Sequence, residues 1–73
     1  MARIPIKAEV TGKVWKILVP AGGRVEADEP VLVVESMKME IPVASEKPGT
    51  VAELLVAEDE AVEDGQVVGA IET

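Results

Sequence analysis

The sequence predicts an all-β fold, a flattened eight-stranded barrel or sandwich made of two related four-strand halves. Three observations predict it. Val and Ile recur in short runs punctuated by Gly, Pro, Asp and Ala, as strands separated by turns do. No window carries a convincing apolar stripe at helical spacing. The chain also repeats itself, because its two halves align without a gap when displaced by 37 positions.

The runs place strands over Ile4–Lys7, Lys13–Val19, Val31–Ser36, Met39–Ala44, Thr50–Val56 and Val67–Glu72. Shorter extended pieces surround Arg24–Glu26 and Ala61–Glu63. In the repeat, Ile4-Pro5 falls on Ile41-Pro42, Gly12 on Gly49, Val14 on Val51 and Leu18-Val19 on Leu55-Val56. Val25-Glu26 likewise falls on Val62-Glu63, Val31 on Val68, and Glu35 on Glu72. Each half is too short to bury a face alone, so the two must share one core about a pseudo-two-fold axis. Strand alternation turns Trp15, Ile17 and Val19 inward in step with Ala52, Leu54 and Val56, and leaves Lys16 and Glu53 outside.

Composition narrows the function classes. The chain has 73 residues, 48% hydrophobic and 29% charged, which suits one small domain over residues 1–73 and is too apolar for disorder. It contains no cysteine and no histidine, which removes disulfides, Cys/His zinc sites, a Cys nucleophile and a Ser-His pair. A net charge of −7 argues against nucleic acid or an anionic membrane as partner. All seven basic residues lie in residues 1–47, so the net charge belongs to the C-terminal third. The sequence shows neither a signal peptide nor a bilayer-length apolar stretch, so the expectation is a soluble cytosolic protein. Nothing in it demands more than a monomer.

One segment carries chemistry: Glu35-Ser36-Met37-Lys38-Met39-Glu40. It joins the two halves, and the repeat makes Glu35-Ser36 equivalent to Glu72-Thr73. Met37-Lys38-Met39 is therefore expected at an exposed hairpin tip opposite the paired chain ends, on a scaffold that holds it still. Gly, Asn or Asp would ordinarily fill such a tip. Here an accessible amine stands between two soft, adaptable thioethers, open to an acylating enzyme and to a gripping partner. An isolated Met-Lys-Met reads as two strand residues and a solvated lysine. Its place at the symmetry centre reverses that preference.

The segment E-S-M-K-M-E-I at 35–41 resembles the attachment hairpin of biotinyl domains, within the biotinyl/lipoyl attachment family. G-K-V-W-K-I at 12–17, G-T-V at 49–51 and V-E-D-G-Q-V-V at 62–68 extend the resemblance over essentially the whole chain. The resemblance implies the hammerhead-like barrel of that family and a non-catalytic carrier. Lys38 would be joined to biotin through an amide by a biotin protein ligase. Met37 and Met39 would serve the loaded carrier's work with partner enzymes, and Glu35 and Glu40 would be secondary recognition residues. The implied mechanism is a swinging arm, loaded at a biotin carboxylase and unloaded at a carboxyltransferase, as in biotin-dependent carboxylases and decarboxylases.

Lipoyl domains of the family typically carry Asp before the lysine and Ala after it, which this chain lacks. A lipoyl or dual biotin/lipoyl carrier is the second reading, kept open by Ser36 where biotinyl domains commonly have Ala. The third is an unmodified β-barrel binding a protein through its Met hairpin or acidic face. The chain departs from the family pattern at Ala8-Glu9, where Ala-Pro is common, and at its eroded Gly-Asp turns. Asp28 and Asp59 are expected to replace Gly there, since Asp tolerates the left-handed conformation. Val19-Pro20-Ala21-Gly22 leaves no room for the protruding thumb of some bacterial carriers. Glu58-Asp59-Glu60 with Glu63-Asp64-Gly65 lacks calcium-loop spacing and reads as a solvated acidic loop. Gly22-Gly23 reads as a turn, and Lys7, Lys13, Lys16 and Lys47 lack a hairpin context.

Overall fold

Eight strands follow one another in the computed structural model, which describes residues 2–73. They are β1 (Arg3–Lys7), β2 (Gly12–Ile17), β3 (Arg24–Val25), β4 (Pro30–Ser36), β5 (Met39–Ala44), β6 (Gly49–Leu54), β7 (Ala61–Val62) and β8 (Val67–Glu72). No helix occurs among the described residues. The strands form two antiparallel sheets, in the orders β1-β8-β6-β3 and β5-β4-β2-β7. Exchanging β1 with β5, β2 with β6, β3 with β7 and β4 with β8 turns one sheet into the other. Each half of the chain contributes two strands to each sheet, so neither half encloses a core by itself.

The backbone obeys the two-fold bond by bond. Gly22 N donates to Val51 O at 2.7 Å, and its equivalent Asp59 N donates to Val14 O at 2.7 Å. Asp28 N to Ser45 O, at 2.7 Å, is matched by Gly65 N to Ala8 O, at 2.8 Å. These four turn residues all have positive φ: Gly22 at 92° against Asp59 at 74°, and Asp28 at 66° against Gly65 at 86°. Wherever one half uses glycine the other uses aspartate, so the expected Asp-for-Gly replacement is what the turns show.

The core lies between the sheets. Val14, Val25, Val31, Leu32, Val34, Val51 and Val68 are completely buried, with Ile71 and Val62 beside them. The inward assignment of Trp15 is corrected: the indole is 48% exposed, and Val14 fills the core in its place. The cause is a β-bulge. Val14 pairs with Val34 but Lys16 pairs with Val33, so Trp15 is an extra residue that shifts the alternation by one. The second half has the same bulge between Val51 and Glu53, which buries Val51 and leaves Ala52 half-buried. Beyond the bulges the alternation is as predicted. Ile17, Val19 and Leu54 pack against the core and Val56 is within it.

The molecule is elongated, 36 × 17 × 16 Å. At one end Thr73 N donates to Ala2 O at 2.9 Å, and Arg3 pairs with Glu72. From there β1 runs to Lys7, and residues 8–11 deliver the chain to Gly12, against Glu35 at the base of the β4–β5 turn. The hairpin and the paired chain ends therefore sit at opposite ends, as the repeat requires.

Candidate functional site

At the hairpin end, β4 and β5 pair up to Ser36 opposite Met39, which leaves a two-residue loop of Met37 and Lys38. Both loop residues have positive φ, 52° and 66°, the backbone of a type I′ turn. Such a turn matches the twist of the strands and ordinarily recruits Asn-Gly. A residue with an ordinary Cβ costs about 1–2 kcal/mol in the left-handed region. The sequence accepts that cost twice, at side chains that fill no core. Strain held at an exposed tip points to a function for the side chains themselves.

Met37 is 92% exposed and Met39 64%, and Lys38 lies between them in solvent. Among the described residues no ion pair involves Lys38. The tip thus presents a mobile primary amine flanked by two polarizable thioethers. Below it Glu35 stands directly opposite Glu40, both exposed. Like charges facing across strands are unfavourable, and Lys13, opposite Glu35 on β2, pairs with Asp59 instead. Glu35, Met37, Lys38, Met39 and Glu40 are all exposed at this end of the molecule.

Lys13 is held by Asp59 at 3.5 Å, which leaves its amine less free than that of Lys38. The acidic loop spends several groups on its own backbone. Glu60 Oε1 accepts from Ala57 N at 3.0 Å, and Glu58 Oε2 accepts from Ile17 N at 3.1 Å. No cluster of acidic side chains suited to a metal occurs among the described residues. A cleft of about 430 Å³ opens between β1 and β5, and its walls include none of the hairpin tip.

Sequence reasoning missed Thr11. Ser36 Oγ donates to Thr11 O at 2.9 Å, and Thr11 Oγ1 accepts from Asp64 N at 3.1 Å. The available signal was a break in the repeat, because Thr11 aligns with Pro48.

An acyl cofactor held by an amide requires a primary amine that an enzyme can reach from outside. Lys38 meets that requirement: it is exposed, unpaired among the described residues, and carried at the tip of a two-residue turn. The family model described as "Biotin-requiring enzyme" matches residues 2–71. The biotin/lipoyl attachment protein of Bacillus subtilis (strain 168) is 36% identical over 63 residues, covering 86% of both chains. A stretch of Kluyveromyces lactis urea carboxylase superimposes with a TM-score of 0.92 at 33% identity, covering 99% of this chain and 6% of that one. The lipoyl domain of the Azotobacter vinelandii 2-oxoglutarate dehydrogenase complex superimposes with a TM-score of 0.79 at 28% identity, covering 96% of each. A strained lysine hairpin on a two-fold β-sandwich and a match over nearly every residue lead to one conclusion: the chain belongs to the biotin/lipoyl attachment family of carrier domains.

Proposed function

We propose that this chain is a biotin carrier, acylated on Lys38 by a biotin protein ligase and serving a biotin-dependent carboxylase or decarboxylase. The observation that carries the reading is the hairpin. Its turn puts Met-Lys-Met at the extremity of the molecule, with Met37 almost wholly in solvent. Acylation there forms an amide between Lys38 Nζ and the biotin carboxyl carbon, with loss of the activating group and an amine proton.

When bound, biotin supplies the carboxyl-carrying group. The protein supplies attachment and presentation. Lys38 tethers the cofactor, Met37 and Met39 offer the gripping surface, and Glu35 and Glu40 offer charges a partner can read. Tethering raises the local concentration of the group at a biotin carboxylase site and then at a carboxyltransferase site. The likeness to a stretch of urea carboxylase supports this pairing of partners.

A lipoyl or dual carrier is the second reading, favoured by the close superposition on a complete lipoyl domain. Intact mass after co-expression with a biotin protein ligase decides between them, with Lys38→Arg as control. One biotinyl increment that vanishes in the control is the expected result. No increment from folded protein with active ligase and ample biotin would overturn the biotin assignment. A lipoyl increment with a lipoate ligase would then establish the second reading. If neither ligase acts, an unmodified protein-binding barrel is left.

A further inference from the structure

The pseudo-two-fold is followed closely along most of the backbone, so the places where side chains break it are informative. One break lies at the hairpin base. Ser36, half-buried at the last β4 position, donates from Oγ to the carbonyl of Thr11 at 2.9 Å. Thr11 in turn accepts at Oγ1 from the backbone N–H of Asp64 at 3.1 Å. Three segments distant in sequence are joined here: the β4–β5 hairpin, the β1–β2 connection and the turn before β8. The symmetry-equivalent residues are Thr73, Pro48 and Ala27. Pro48 has no hydroxyl, and the Thr73 hydroxyl bonds across the strand pair to Ala2 instead. The three-segment link therefore occurs only at the end that carries Lys38.

Its position matters because the turn beside it is strained. Met37 and Lys38 both occupy the left-handed region, and Glu35 faces Glu40. Such a conformation persists only where the surroundings over-determine it. The hairpin tip fills no core, so its surroundings are few: the β4–β5 ladder, the close approach of Gly12 to the Glu35 carbonyl, and the Ser36–Thr11–Asp64 link.

We infer that Ser36 and Thr11 form a clasp that holds the acceptor hairpin in its presenting conformation, so that both are positioning residues for modification of Lys38. This rests on the carrier reading above. On this proposal the strained turn opens to a measurable extent, and the modifying enzyme binds only the presenting fraction. Weakening the clasp lowers that fraction and raises the apparent KM in proportion, while kcat at saturation is unchanged.

Two measurements on the full chain test it, using Ser36→Ala, Ser36→Thr and Thr11→Val. The first is amide hydrogen exchange by NMR on unmodified protein. Losing one such bond is expected to speed exchange at the ladder-bonded amides of Met39 and Ile41 by about threefold to tenfold in Ser36→Ala, with the core amides of Val14 and Leu32 unchanged. Ser36→Thr keeps the hydroxyl and restores the slow exchange. Thr11→Val removes only the Asp64 link and gives a smaller change in the same direction.

The second measurement is steady-state acylation of each variant by whichever ligase modifies the wild type. KM is expected to rise about threefold or more in Ser36→Ala at constant kcat, with rescue by Ser36→Thr. Unchanged hairpin exchange overturns the clasp. Faster exchange with an unchanged KM overturns its positioning role. Loss of protection throughout the core would show a purely global contribution and overturns it as well. Failure of every ligase on the wild type refutes the carrier reading and with it a positioning role in modification.

Discussion

Replacing Met37-Lys38 by Asn-Gly should make the protein more stable while abolishing its acceptor. Both residues sit at positive φ, and the left-handed region costs an ordinary L-residue about 1–2 kcal/mol. Asn tolerates that region, and Gly enters it without strain. Against this gain, glycine adds freedom to the unfolded chain, at a cost of about 0.4–1 kcal/mol. Little packing is lost, because Met37 is 92% exposed and Lys38 is in solvent. The net expectation for Met37→Asn with Lys38→Gly is a gain of about 1–2 kcal/mol. At about 4–8 °C per kcal/mol for a domain of this size, Tm should rise by roughly 5–15 °C. Thermal and urea unfolding followed by circular dichroism measure this directly, with an unchanged urea m-value showing that the same fold is being unfolded. Intact mass should show no acylation. A variant as stable as the wild type, or less stable, would refute the argument, because the hairpin would then not be strained by its central residues. The expected result is a small stability sacrificed for function.

Other substitutions probe the remaining links. At Gly49→Ala the new Cβ would fall 2.6 Å from the Glu72 carbonyl oxygen and 2.7 Å from Ile71 Cγ2, so a loss of about 1–3 kcal/mol is expected in urea unfolding. Trp15→Ala should cost about 1–2 kcal/mol, below the roughly 3–5 kcal/mol of a core aromatic, because the bulge leaves the residue half in solvent. Tryptophan emission of the wild type should correspondingly be accessible to an aqueous quencher such as iodide. Glu40→Lys turns a repulsive cross-strand pair into an attractive one, and should stabilise by about 0.2–1 kcal/mol in thermal unfolding.

Much of the architecture was legible because a gapless repeat is a strong constraint. Once Gly12 falls on Gly49 and Glu35 on Glu72, the shared core and the opposed placement of hairpin and chain ends follow from symmetry, while the exchange of strands between sheets is visible only in the structure. The acceptor was legible for the same reason: Lys38 stands between the halves, where the repeat demands a turn. The left-handed aspartates were legible from the turn pattern of the resembled family together with aspartate's tolerance of that region, and the structure adds that each stands where the other half has glycine.

Trp15 shows where strand alternation fails. A single extra residue in β2 reverses the facing of everything before it, and no local residue preference marks a bulge in a run of Lys-Val-Trp-Lys-Ile. The clasp was hidden for a different reason. Ser36, Thr11 and Asp64 are separated by 25 and 53 positions along the chain, and a hydrogen bond between them exists only once β1 has carried the chain to the hairpin base. The sequence by itself determined the all-β class, the two-fold arrangement and the lysine that the turn presents, because each is written in local chemistry or in the repeat. Only the tertiary structure decided which side of β2 faces the core and what steadies the hairpin, because both depend on contacts between segments far apart in the sequence.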